Sequence, residues 1–216
     1  MDPGFFTRYG PELLAGLGYT AYVSALGSGF GIVIGLIVAL LSALPLRAIR
    51  WLCRSYIEAI RGTPILIQLF LIYYAGPSFG LTLDAITVGV LGLGICGGAY
   101  FAEIFRAGLM SIPKGQVEAA RVLGFSQSQI LWRIKLPQML VLIIPPAVNQ
   151  IIILIKESAV LSIITVPELT KVTTKIVNES FAIVQPYLAM ALLYWLLIET
   201  IAWLGLRLER RMARYL

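Results

Sequence analysis

Residues 19–44 contain no charged side chain, and that run sets the first limit on the fold. About 20 apolar residues wound as an α-helix cross the ~30 Å hydrocarbon core of a bilayer, where only helices and closed barrels satisfy every backbone polar group. Four further runs are long enough, at 55–76, 85–102, 134–155 and 186–206. The second is the least tidy, because Glu58, Arg61 and Pro64 fall in its first half. Of the 216 residues, 59% are hydrophobic and 13% charged, against roughly 45–50% and about 25% in a soluble domain. A water-soluble core of this size cannot hide that much apolar surface. The expectation is an all-α integral membrane protein with five transmembrane helices in one domain over 19–216, preceded by an external or interfacial segment over 1–18. That lead-in lacks the basic start of a cleaved signal peptide, so the first span is expected to be retained.

Charge sets the orientation, since loops rich in Lys and Arg stay in the cytoplasm. Arg47, Arg50, Arg54 and Arg61 flank the first connection, Arg106, Lys114, Arg121, Arg133 and Lys135 the third, and Arg207, Arg210, Arg211 and Arg214 the tail, thirteen of the 17 basic residues. The other faces carry Arg8, Lys156, Lys171 and Lys175. With five spans and a cytoplasmic C-terminus, the N-terminus lies outside. The net charge of +6 therefore reports topology, and nucleic acid is not an expected partner. The absence of histidine removes His-dependent nucleophiles and metal sites. Asp2 and Asp84 are the only aspartates, Cys53 lies in a basic loop and Cys96 in an apolar run, so no catalytic residue, resident cofactor, metal or disulfide framework is expected. Gly27, Gly31, Gly35, Ala39 and Ala43 recur every four residues in the first span, and Gly89, Gly92, Gly94, Gly97 and Gly98 thin the third. Such stripes let helices approach closely, within the bundle or between subunits.

The most informative stretch is the cytoplasmic loop 109–137. Residues 116–123 form helix, Gly124 suits the left-handed conformation that ends one, and Ser126 with Gln129 matches a capping box that starts the next. Long loops in compact proteins tend to be functional. This one reads as a knob: Ala119 and Ala120 keep a face slim, Glu118 and Arg121 offer charges one turn apart, and Val117, Leu123 and Phe125 add apolar contact, as docking into a groove requires. The alternative is an amphipathic loop lying on the bilayer.

Glu118-Ala119-Ala120, then Gly124 after three residues, then Ile134-x-Leu136-Pro137, resembles the EAA signature of the membrane subunits of bacterial ABC importers. Further stretches resemble the polar amino acid uptake subfamily: Arg61-Gly-Thr-Pro64, Glu103-Ile-Phe-Arg106, Ser111-Ile-Pro-Lys-Gly115 and Val166-Pro-Glu168. The resemblance implies a five-helix permease in the bacterial cytoplasmic membrane. Its partners would be an identical or homologous permease, two ATP-binding subunits and an external solute-binding protein. ATP and Mg would be bound by the partner ATPase, in keeping with the lack here of a phosphate-binding loop. It also implies that Glu118, Ala119, Ala120, Arg121, Gly124, Phe125, Leu136 and Pro137 couple to that ATPase. After Lys156 the chain departs from the subfamily's Asp-Thr-Ser-Leu, reading Glu157-Ser158-Ala159-Val160, which loosens any inference to one amino acid and keeps opine-like derivatives in range.

Polar groups at membrane depth are functional candidates: Gln68, Glu103, Arg106, Asn149, Gln150 and Glu199. Pro145-Pro146 is expected to interrupt the fourth span and line a cavity with Asn149 and Gln150. Lys156, Glu157 and Ser158 offer a cation, an anion and a hydroxyl suited to a zwitterion, or else a local ion pair at a helix end. Glu103 and Arg106, three apart, read as a structural pair. Glu199 is expected to select cationic solutes or to pair with Arg106, and Arg61 to snorkel from the inner end of the second span, with Thr63 and Pro64 marking a kink. The rival readings are a secondary carrier without an ATPase, for which no inverted repeat is found, and an integral-membrane lipid-modifying enzyme, for which no nucleophile motif is found.

Overall fold

The structure, a computed structural model, describes residues 4–213. Asp2 and Arg214 lie outside the described residues. The order is α1 (Phe5–Ser42), α2 (Arg47–Gly62), α3 (Ile65–Phe70, continued by a π turn and a 3-10 turn to Phe79), α4 (Ala85–Met110), α5 (Lys114–Val122), α6 (Gln127–Ile130), α7 (Leu136–Glu157), α8 (Leu169–Ser180) and α9 (Val184–Ala213). The helical stretches Phe5–Ser42, Ala85–Met110, Gln127–Ile164 and Val184–Ala213 are long and apolar enough to cross a membrane, and α2 with α3 makes a fifth when the bent pair is taken as one span.

α4 is the centre of the bundle because its glycines are sockets. A Cβ at Gly94 would fall 2.3 Å from Phe30, and one at Gly98 2.6 Å from Ile34. The interlock is reciprocal: Leu93 fills the space at Gly27, and Phe101 that at Gly35. The two small-residue stripes thus meet each other, inside the subunit. The remaining α4 glycines receive other elements, Gly92 taking Leu69 of α3 and Gly97 taking Leu154 of α7. Asp84 caps α4 by accepting from the Thr87 N–H (3.0 Å) and hydroxyl (2.6 Å), and those donors hold its carboxyl below the usual carboxylate range.

The lead-in 1–18 is, from Phe5 onward, the first part of α1 itself, a helix of 38 residues about 57 Å long. Phe5, Tyr9 and Leu13 are buried there against Leu169 and Ile176 of α8 and Ala189 of α9. The Leu169 N–H donates to the Thr20 hydroxyl of α1 (3.1 Å). Glu168 caps α8, accepting from the backbone N–H groups of Thr170 (2.8 Å) and Lys171 (2.7 Å) and from the Tyr194 hydroxyl (3.0 Å). Burial still pushes this carboxyl up, because the desolvation of its charge outweighs those donors.

The second apolar run is not a straight helix. α2 and α3 meet at 105°, at Thr63-Pro64, where Thr63 adopts the extended conformation (φ −120°, ψ 138°) that a following proline favours. The bend is where the sequence placed a kink, but far sharper. α2 carries Arg47, Arg50, Arg54, Glu58 and Arg61 and exposes much of its length. Gln68 braces the corner: its Nε2 lies 2.9 Å from the Ile60 carbonyl, 3.0 Å from the Thr63 carbonyl and 3.0 Å from the Thr63 hydroxyl, which satisfies carbonyls a helix end leaves open.

Pro145 and Pro146 do not interrupt the fourth span. α7 runs unbroken from Leu136 to Glu157 with both inside it. Each proline removes one N–H from the helical ladder, yet neighbouring turns carry the helix through.

Candidate functional site

Two cavities follow the inner faces of α4 and α7. The inner one, about 620 Å³, is lined by Arg61, Tyr100, Glu103, Arg106, Leu142, Pro146, Asn149 and Gln150, among others. The outer one, about 550 Å³, is lined by Thr63, Cys96, Tyr100, Gln150, Ile153 and Glu157, with Arg61 again. α4 runs inward and α7 outward, so residues 96–100 of one and 150–157 of the other lie toward the outside.

The expected pathway residues separate on inspection. Asn149 and Gln150 reach the inner cavity, and Gln150 and Glu157 the outer. Lys156 and Ser158 line neither of these: Lys156 is exposed on another side of the helix, and Ser158 is fully buried with its hydroxyl donating to the Ile155 carbonyl (2.7 Å). Successive residues of a helix point about 100° apart, so a contiguous cation, anion and hydroxyl do not share one wall. Gln68 is occupied in bracing the bend. Arg106 pairs with Glu103, donating at 2.9 and 2.7 Å, as their i,i+3 spacing implies. It is therefore not the partner of Glu199, which is exposed on α9 and has no ion pair among the described residues. Sequence reasoning did not place Arg61 or Tyr100 on the cavity walls. Arg61 lies over the Tyr100 ring, 5.2 Å from its centre, and the signal available for that contact was the aromatic at that level of the third span.

The cytoplasmic corner is built as its sequence implies. α5 ends in a Schellman motif, with the Gly124 N–H donating to the Arg121 carbonyl and the Phe125 N–H to the Ala120 carbonyl, both 3.0 Å, and Gly124 at φ +81°. Ser126 and Gln129 form a complete capping box, after which the chain stays helical from Gln127 to Ile164. The Gln138 amide donates to the Gln116 side chain (2.7 Å) and ties α7 to α5.

The slim face divides in two. Ala120 is 4% exposed and turned into the chain, where Ile112 and Ile130 are also buried, while Ala119 faces out. Glu118 and Arg121 border a cleft of about 390 Å³ shared with Met110 and Lys135. The outward apolar surface is Val122, 88% exposed, and Leu123, 76% exposed. Val122 was missed, although it stands one turn beyond Glu118 on the helix. Phe125 is half-buried at the corner, and Leu136 and Pro137 sit where the helix enters the bundle.

A Cβ at Gly124 would meet nothing within 4 Å, so its requirement is conformational. Gly124→Ala is expected to cost the corner about 1 kcal/mol. Hydrogen exchange should quicken at 122–125 and remain unchanged in α4.

A family described as "Binding-protein-dependent transport system inner membrane component" matches residues 31–214. The chain is 38% identical to the L-cystine transport system permease protein TcyB of Bacillus subtilis (strain 168), over 95% of this chain and 88% of that protein. It is 36% identical to the glutamine transport system permease protein GlnP of Escherichia coli (strain K12), over 94% and 93%. It is 30% identical to the arginine transport system permease protein ArtQ of Bacillus subtilis (strain 168), over 94% and 93%. Its structure is similar to the crystal structure of an amino acid ABC transporter with histidines, at TM-score 0.91 and 36% identity over 98% of this chain and 99% of that one. The inward-facing MetNI methionine ABC transporter shares the fold, at TM-score 0.82 and 20% identity over 98% and 99%. The chain belongs to the inner membrane components of binding-protein-dependent transport systems.

Proposed function

We infer that this subunit forms half of the passage of an ATP-driven amino acid importer, and that its cytoplasmic corner receives the stroke of the ATPase. It is the permease subunit of an amino acid ABC importer, a multi-pass protein of the inner membrane that works with an ATPase and a solute-binding protein. Two ATP-binding subunits, each holding ATP and Mg, would engage a pair of permeases, this chain with an identical or homologous one. Glu199 supports such pairing: it stands among the exposed Trp195, Leu196 and Trp203 of α9, and a charge at bilayer depth is costly against lipid. We place it against the second permease.

The observation that carries this reading is the continuous helix Gln127–Ile164. Its cytoplasmic end is one arm of the corner, and its middle supplies Asn149, Gln150 and Glu157 to the cavities. A displacement of Val122 and Leu123 by closing ATPases therefore acts on the cavity wall through one rigid element, which gives the two access states different contacts with the motor. Cystine, glutamine and arginine, named for the relatives, share an amino group and a carboxylate on one carbon. Glu157 suits the ammonium of such a solute, or of an opine-like derivative.

The test is ATP-dependent uptake of L-cystine, L-glutamine and L-arginine by proteoliposomes holding this chain with its ATPase, partner permease and binding protein. Uptake of at least one is expected, and Glu157→Gln should reduce it at least about tenfold. Uptake that continues without ATP would overturn the reading.

A further inference from the structure

We propose that Arg61 receives the carboxylate of the solute and forms the partition between the outer and inner cavities, a role that rests on the permease reading above. Arg61, Tyr100 and Gln150 are common to the walls of both cavities, so a solute passing from one to the other passes these three. Arg61 is near the end of α2, immediately before the 105° bend, and its guanidinium lies over Tyr100; on its other side it borders a third cavity, of about 460 Å³, with Arg50, Arg54, Glu58, Glu103 and Arg106.

The neighbouring carboxylates have closer partners, and Arg61 adds only a longer-range attraction to Glu103. Arg106 holds Glu103 at 2.7 Å, and Arg54 holds Glu58 at 2.7 Å, while Arg61 has no ion pair among the described residues. An aromatic face steadies a guanidinium without using its N–H donors, and those donors form a planar fork that fits a carboxylate. Gln150 adds a second observation. It is 5% exposed, and its Nε2 has no hydrogen-bond partner among the described residues, whereas buried donors are ordinarily paired. With Glu157 on the outer wall, the outer cavity has an anion from α7 for the ammonium and a cation from α2 for the carboxylate. Arg61 takes the place for which adjacent Lys156 is the wrong side of the helix.

Charge-selective thiol chemistry tests this in the assembled importer in proteoliposomes. Ile153 lines the outer cavity and is 39% exposed. Ile153→Cys, with Cys53→Ala and Cys96→Ala, is modified by an anionic sulfonatoethyl and a cationic trimethylammonioethyl methanethiosulfonate. Arg61→Gln is expected to lower the ratio of anionic to cationic rates at least about fivefold, and Arg61→Lys to keep most of it. In the otherwise unmodified chain, Arg61→Gln should cut maximal uptake of L-glutamine and L-arginine at least about tenfold, with half-saturation and ATP hydrolysis stimulated by the binding protein retained. An unchanged ratio overturns the proposal. So does equal loss of uptake and hydrolysis in Arg61→Lys and Arg61→Gln, the mark of a residue that only shapes the bend. If no amino acid is taken up by the native importer while the ratio still follows Arg61, the amino acid reading falls and the anion site stands.

Discussion

Gly35→Val is expected to abolish the folded subunit. A Cβ at Gly35 would lie 2.5 Å from Phe101 Cβ, 2.9 Å from the Ala102 nitrogen and 3.0 Å from the Phe101 carbonyl carbon. Two of those atoms are backbone in the middle of α4, so no side-chain rotation relieves the contact, and α1 and α4 must move apart. Overpacking a core costs roughly 1–3 kcal/mol where side chains can yield. Here separation also loosens the reciprocal seating of Phe30, Ile34 and Leu93, so a loss of at least about 3 kcal/mol is expected, a large share of the stability of an ordinary domain. Gly29 is the control, because a Cβ there meets nothing within 4 Å. Gly29→Val should leave the detergent-solubilised subunit monodisperse with its melting temperature nearly unchanged, while Gly35→Val should aggregate or fail to accumulate. A Gly35→Val subunit with native melting behaviour would show that the seam is not the packing centre.

Most of the spans were legible because crossing a membrane is a one-dimensional requirement: length and hydropathy identify the first, third, fourth and fifth without knowledge of neighbours. The glycine stripes added that close packing must occur, and the structure supplies the partner. Direction was harder to read. Thr63-Pro64 announces a bend, yet its 105° depends on Gln68 reaching back to carbonyls at the end of α2, a contact eight and five residues away that no window average contains. That angle also brings Arg61 over Tyr100, a contact between two spans that the sequence of either one does not show. Pro145-Pro146 misled in the opposite sense, since α7 stays helical through both. In the site, Lys156-Glu157-Ser158 looked like a unit along the chain, but helical geometry sends the three to different surroundings. The corner was the most legible part of all, because Gly124, Ser126 and Gln129 act through local backbone hydrogen bonds. Only its outward register, with Ala120 inside and Val122 outside, needed the fold.

Val122→Asp combined with Leu123→Asp is expected to uncouple the importer without unfolding this subunit. Both side chains project from the corner and contribute little to its packing, which rests on buried Ala120, Ile112 and Ile130 and on the hydrogen bonds of Gly124, Phe125 and Ser126. Their apolar surface is available to a partner, and central apolar contacts of a docked helix are typically worth about 2 kcal/mol each. Burying two carboxylates in an apolar contact adds a desolvation penalty. Even with incomplete additivity, about 3 kcal/mol corresponds to a loss of binding on the order of 100-fold. Capture of the ATPase by the tagged subunit in mild detergent should fall by that factor, and ATP-dependent uptake should drop to background, with the melting temperature held near the native value. Val122→Ile combined with Leu123→Met preserves the apolar surface and should preserve capture. If the double aspartate variant still brings down its ATPase at native levels, the motor grips another surface, and the helix from Gln127 to Ile164 loses its place as the transmission.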